Sequence, residues 1–101
     1  MMSFGEIIRR AREEKKIILR KVAAELDIDQ AIISKFERGE RKPTKEQVLK
    51  FASFYDLNEN ELVIAWLSDK VVYDLAEEDY AQEALKAAEE KIQYIKSKKN
   101  E

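Results

Sequence analysis

The chain has 101 residues, 45% of them apolar, with no cysteine, no histidine, two glycines and one proline. That is enough apolar material for one compact core. The missing Cys and His exclude disulfides, thiolate metal sites, Ser-His-Asp chemistry and nearly all zinc sites. So little Gly and Pro favours helices and leaves no glycine-rich phosphate loop. The net charge of −2 hides an asymmetry: residues 1–50 carry 13 Lys and Arg against 9 Asp and Glu, and residues 51–101 carry 6 against 12. DNA binding needs positive charge on one face rather than over a whole protein, so the basic half is the one to inspect. No apolar run approaches the roughly 18 residues of a membrane span, and residues 1–12 are amphipathic and charged rather than a signal. The expectation is a cytoplasmic protein with no membrane contact.

Ser3-Phe4-Gly5-Glu6 fits the S-x-x-E capping box, in which the two side chains satisfy each other's backbone donors. It predicts a first helix with Phe4, Ile7, Ile8 and Ala11 on its buried stripe, ending near Lys15 and Lys16, where cations suit the helix dipole. A second helix covers residues 19–26, with Val22, Ala23 and Leu26 inward. Asp27-Ile28-Asp29 makes a tight turn plugged by Ile28, and Asp29 is a good N-cap for a third helix over residues 30–38. Ile33 and Phe36 form the buried face of that helix, and Gly39 is a natural stop. Two short helices around a tight turn are the plan of a helix-turn-helix, whose second helix enters the DNA major groove.

A polar basic loop, residues 39–43, precedes Thr44 and Gln47, a second capping box. The fourth helix it opens is expected to bury Val48, Leu49, Ala52 and Phe54 or Tyr55. Asn58 with Glu61 opens a fifth helix through Leu62, Val63, Ala65, Trp66 and Leu67. After Lys70 the composition changes: residues 71–75 are apolar, Glu77-Glu78-Asp79 follows, and residues 80–96 form one long helix rich in Ala, Glu and Lys. Leu85, Ala88, Ile92 and Ile95 mark a heptad-like seam on it, with Ala81 and Ala84 extending the seam backward. Residues 96–101 are expected to fray. The fold class expected is all-α: a five-helix bundle over residues 1–70 and a C-terminal helical extension over residues 71–101.

The run from Leu19 to Leu62, and above all ISKFERGERKP, resembles the phage-repressor (Xre/Cro-type) helix-turn-helix family, whose pattern is I-S-x-x-E-x-G-x-x-x-P. The resemblance covers residues 4–67. It implies a sequence-specific transcriptional regulator of double-stranded DNA, with Gln30, Ala31, Ile32, Ser34 and Lys35 at the base edges. It implies an ion pair of Arg12 with Glu37, and phosphate contacts from Arg38, Arg41, Lys42 and Lys45. The chain departs from the family at Ile18 and Leu19, where Ser or Thr and then Gln are usual; Arg20 or Lys21 can supply the lost phosphate contact. Asp27 stands where the family has Gly, and Asp tolerates a left-handed backbone. The tail more loosely resembles small regulators encoded beside DNA methyltransferases, which implies an autoregulatory role or control of a restriction-modification operon.

Each residue has a plain alternative. Gln30 can pair with adenine N6 and N7 through its amide, or stand as an exposed helix start. Ile32, beside the inward Ile33, either points outward to a thymine methyl or packs beside the second helix. Lys35 reaches a guanine or, more commonly for such residues, a phosphate. Trp66 belongs either to the core or to a dimer surface. The apolar set Val71, Val72, Tyr73, Leu75, Leu85, Ala88, Ile92 and Ile95 is covered either by folding back or by a second chain, and a homodimer on a palindromic operator favours the second. The alternative function is an antitoxin or adaptor that holds a protein partner through the acidic C-terminal half. No enzyme constellation, cofactor or metal site is expected; the acids at 77–79 suit a helix N-terminus.

Overall fold

A computed structural model describes residues 1–99. Among the described residues there are six helices and no strand: α1 (Phe4–Glu14), α2 (Leu19–Leu26), α3 (Gln30–Glu37), α4 (Lys45–Phe54), α5 (Glu59–Leu75) and α6 (Ala81–Lys99). They form two compact units, Met1–Lys70 and a second that begins at Val71.

The helix starts in the first unit follow from their caps. Ser3 Oγ accepts from the Glu6 N–H while the Ser3 N–H donates to Glu6 Oε1 at 3.0 Å, and that bond holds the Glu6 carboxyl below its ordinary pKa. Thr44 and Gln47 make the same reciprocal pair ahead of α4. Asn58 Oδ1 accepts from the Glu61 N–H at 2.9 Å at the start of α5. A contact that local pattern does not reveal adds to the first of these: the Phe4 N–H donates to Asp69 Oδ2 of α5 at 2.9 Å. The ends of α1 to α4 are marked by left-handed residues, Lys16 (φ 56°), Asp27 (φ 54°), Gly39 (φ 73°) and Asp56 (φ 54°).

Among the described residues, every buried hydrophobic lies between Phe4 and Trp66. α4 corrects its expected face. The residues it buries are Val48, Phe51 and Ala52, with Tyr55 at its cap, while Leu49 and Phe54 are half-buried. The set 48, 51, 52, 55 follows the 3.6-residue period. Phe51, absent from the sequence-based core, is fully buried at the centre of an aromatic cluster, with Phe4 at 5.7 Å, Phe36 at 6.2 Å and Tyr55 at 6.1 Å between ring centroids.

α1 crosses α3 at close range. A Cβ at Gly5 would lie 2.3 Å from the Phe36 carbonyl oxygen and 2.8 Å from that of Glu37, both backbone atoms of α3. Gly5→Ala is therefore expected to destabilise the protein by about 1–3 kcal/mol through forced separation of the helices, although alanine is the better helix former by about 1 kcal/mol. Thermal melting checks this, and an unchanged or higher Tm would show that the crossing has slack.

α5 is longer than expected and runs unbroken to Leu75. It buries Leu62 and Trp66, whereas Ile64 and Leu67 are 63% and 48% exposed. Trp66 belongs to the core, which corrects its place in the expected dimer surface. Its Nε1–H donates to the Pro43 carbonyl at 2.9 Å, and the Lys70 ammonium lies 3.7 Å above its ring. A buried indole with its one donor satisfied has no need of a partner chain.

In the second unit no residue of α6 is buried. The helix continues to Lys99, so residues 96–99 are helical rather than frayed; Asn100 and Glu101 lie outside the described residues. Leu85, Ile92 and Ile95 are 43%, 53% and 54% exposed, and Val71, Val72 and Tyr73 are exposed as well. Ala88 is exposed and Leu75 half-buried.

Candidate nucleic-acid interface

α2, a three-residue turn and α3 form the centre of the site. Asp27 leaves α2 in the left-handed region (φ 54°, ψ 47°), and the Ile28 N–H returns to the Ala23 carbonyl at 3.2 Å. Ile28 is buried under the turn. Asp29 Oδ1 accepts from the Ala31 N–H at 2.8 Å and the Ile32 N–H at 3.4 Å, which starts α3. Ile18, at the N-cap of α2, makes no side-chain capping bond, so the first turn of that helix depends on tertiary packing.

α3 divides cleanly into two faces. Ile33, Phe36 and Glu37 are buried, while Gln30, Ala31 and Lys35 are exposed and Ser34 is half-buried. Ile32 is half-buried and packs against the core, the inward of its two expected readings. It stands one turn before Phe36, and residues four apart share a helix face. Adjacency to a buried Ile33 does not send it outward, because helical neighbours differ by about 100°. Ser34 Oγ accepts from Arg38 Nη1, and Arg38 Nε donates to Glu40. Arg38 is thus held over the exposed face by contacts in water, worth no more than about 1 kcal/mol. Arg20, Lys21, Arg41, Lys42 and Lys45 are all exposed.

The basic loop is tethered at its far end. Pro43 is buried, and its carbonyl is the one that Trp66 Nε1 reaches. Arg41 and Lys42 are thereby presented from a loop fixed by Gly39 on one side and by the Trp66 contact on the other.

Behind the exposed face lies a charged lock. Arg12 Nε donates to Glu37 Oε2 at 2.8 Å and Nη2 to Oε1 at 3.0 Å, a bidentate pair; Nη1 donates to the Ile17 carbonyl at 3.2 Å. The side chains are 16% and 5% exposed. The Glu37 bonds raise the Arg12 pKa above its ordinary value. The Tyr55 hydroxyl is buried with no hydrogen-bond partner among the described residues, and burial, reinforced by the Glu37 charge, pushes its pKa up to about 12. One guanidinium therefore joins α1, the α1–α2 loop and the end of α3.

The profile of a helix-turn-helix family, of the Xre/Cro type, matches residues 8–62, more than half of the chain. The chain belongs to this family. It is a DNA-binding transcriptional regulator. The matched region contains the α2–turn–α3 unit, the Arg12–Glu37 pair and the basic loop. Comparison with curated proteins gives no match. Among the described residues of this helix-turn-helix protein, no helix is long and apolar enough to cross a membrane. The family resemblance pointed to the exposed set on α3 and the loop, but neither it nor local pattern pointed to Asp69 or to the link from Trp66 to Pro43. Both join residues far apart in sequence, and neither leaves a local signal.

Proposed function

We propose that this regulator binds a pseudo-palindromic operator as a homodimer. Gln30, Ala31, Ser34 and Lys35 would face base edges, while Arg20, Lys21, Arg38, Arg41, Lys42 and Lys45 would contact phosphates. The observation that carries this reading is the exposed polar face of α3 beside the tethered basic loop, inside a helix-turn-helix. Gln30 has the donor and acceptor for adenine's N6 and N7. The side chains of Arg41 and Lys42 suit phosphates, which fix register without carrying sequence. Ile32 is left to packing.

Footprinting on the upstream region of its own gene, followed by gel shifts over a salt series, tests the reading. Gln30→Ala is expected to cost about 1–3 kcal/mol at the cognate site and to relax preference at one base pair. Full affinity with unchanged preference would remove Gln30 as a reader. Arg41→Ala is expected to weaken all sequences alike and to make the salt slope shallower by about one. Loss at the cognate site alone would argue against a phosphate contact.

The dimer is proposed to form through residues 71–96. A single helix-turn-helix reads few base pairs, and two of them meet half-sites about 34 Å apart. The exposed apolar side chains of the second unit form a patch of the kind that partners cover. Since the described buried core lies wholly within residues 1–70, a chain ending at Lys70 is expected to stay folded and to be monomeric by light scattering. A truncated chain that still dimerises would move the interface to the first unit, where Ile64 and Leu67 are the exposed apolar residues of α5. A full-length chain that stays monomeric and shows no salt-dependent DNA shift would favour an adaptor that uses its acidic C-terminal half on a protein partner.

A further inference from the structure

We infer that the second copy docks antiparallel, α6 against α6, with Ala88 near the two-fold axis. This rests on the dimer reading above and adds its direction and register. Within the second unit, Val71, Leu75, Leu85, Ala88 and Ile92 line an open groove of about 830 Å³. Its apolar floor needs a helical occupant with a matching seam, and a copy of α6 carries one. Charge decides the direction. The segment leading into α6 holds Glu77, Glu78 and Asp79, and Glu83 lies in the first turn of the helix; Lys96, Lys98 and Lys99 occupy its last turn. A parallel pair would set acid against acid and base against base. An antiparallel pair sets each acidic end against the other copy's lysines, and it also opposes the two helix dipoles.

The same arrangement fixes the register. Leu85 and Ile92 stand three residues before and four after Ala88, so pairing about Ala88 places Leu85 of each copy against Ile92 of the other. Asp79 and Lys98 stand nine before and ten after it, which brings the charged ends into line. Among Leu85, Ala88, Ile92 and Ile95, Ala88 has the smallest side chain, and a small residue at a crossing lets two helices approach closely.

The chain has no cysteine of its own, so single cysteines report distance unambiguously. Under mild oxidation, full-length Ala88→Cys is expected to cross-link to itself almost completely. Ala81→Cys and Ile95→Cys, seven residues before and after Ala88 on the same seam, are expected to remain uncross-linked alone, yet to cross-link with each other when mixed. The triple variant Lys96→Glu, Lys98→Glu, Lys99→Glu is expected to raise the dimer Kd about tenfold, equal to about 1.4 kcal/mol. Self-cross-linking of Ile95→Cys to the extent of Ala88→Cys would mean a parallel pair and overturn the inference. Dimers by light scattering with no cross-link at any of these positions would overturn it while leaving the dimer reading intact. A monomer at tens of micromolar, with no cross-link, would end both.

Discussion

Glu37→Ala is expected to destabilise the protein by about 3–5 kcal/mol, because it strands the Arg12 guanidinium at a site largely closed to water. The carboxylate it removes is 5% exposed and accepts two of the guanidinium's hydrogen bonds. For a domain of this size the loss corresponds to a fall in Tm of more than about 12 °C. Arg12→Ala should cost a similar amount, since it leaves the Glu37 carboxylate buried and unpaired. The double variant should cost much less than the two losses together, because each single substitution strands a charge that the double removes. Thermal melts of the three variants decide the matter, and strictly additive losses would show that the pair is not coupled. Added salt should change the coupling between Arg12 and Glu37 little, since buried pairs are poorly screened. The effect on DNA should follow the folded fraction: once folded at low temperature, Glu37→Ala should keep the base preference set by the exposed face of α3.

Phe51→Ala should cost about as much, 3–5 kcal/mol on the usual scale for large-to-small core changes. Phe51 is fully buried and touches the rings of Phe4, Phe36 and Tyr55, so the cavity would open where α1, α3 and α4 meet. The edge-to-face contacts at 5.7 and 6.2 Å add to the area term. Total stability of a small domain is about 5–15 kcal/mol, so this variant should populate unfolded chain near body temperature. Phe51→Leu keeps most of the apolar volume and should lose less. Chemical denaturation measures both, and a loss under about 1 kcal/mol for Phe51→Ala would mean that the neighbouring rings close the gap. Since Phe51 braces Phe36 on α3, its loss should also reduce DNA affinity through the fraction folded and not through any single base pair.

Local chemistry made much of this protein legible before any packing was known. Ser3 with Glu6, Asp29, and Thr44 with Gln47 marked helix starts, since a cap bonds to backbone donors only two or three residues away. Gly39 marked the end of α3, and Asp27 the left-handed turn inside the helix-turn-helix. The pattern ISKFERGERKP was enough to point to the family that residues 8–62 match. Elsewhere the tertiary structure decided. The burial of Phe51 in place of Leu49 and Phe54 depends on how α4 is rotated against α1 and α3, and several rotations satisfy an apolar run. Ile32 packs partly against the core because the fold turns its side of α3 inward, not because of its own type. Trp66 belongs to the core because Pro43 offers its carbonyl from 23 residues away, and the start of α1 is held by Asp69 from 65 residues away. Such contacts join groups that only the folded chain brings together, so neither composition nor periodicity contains them. The local sequence determined where most helices start and where α1 to α4 stop, while the packing of one helix on another determined which of their faces met.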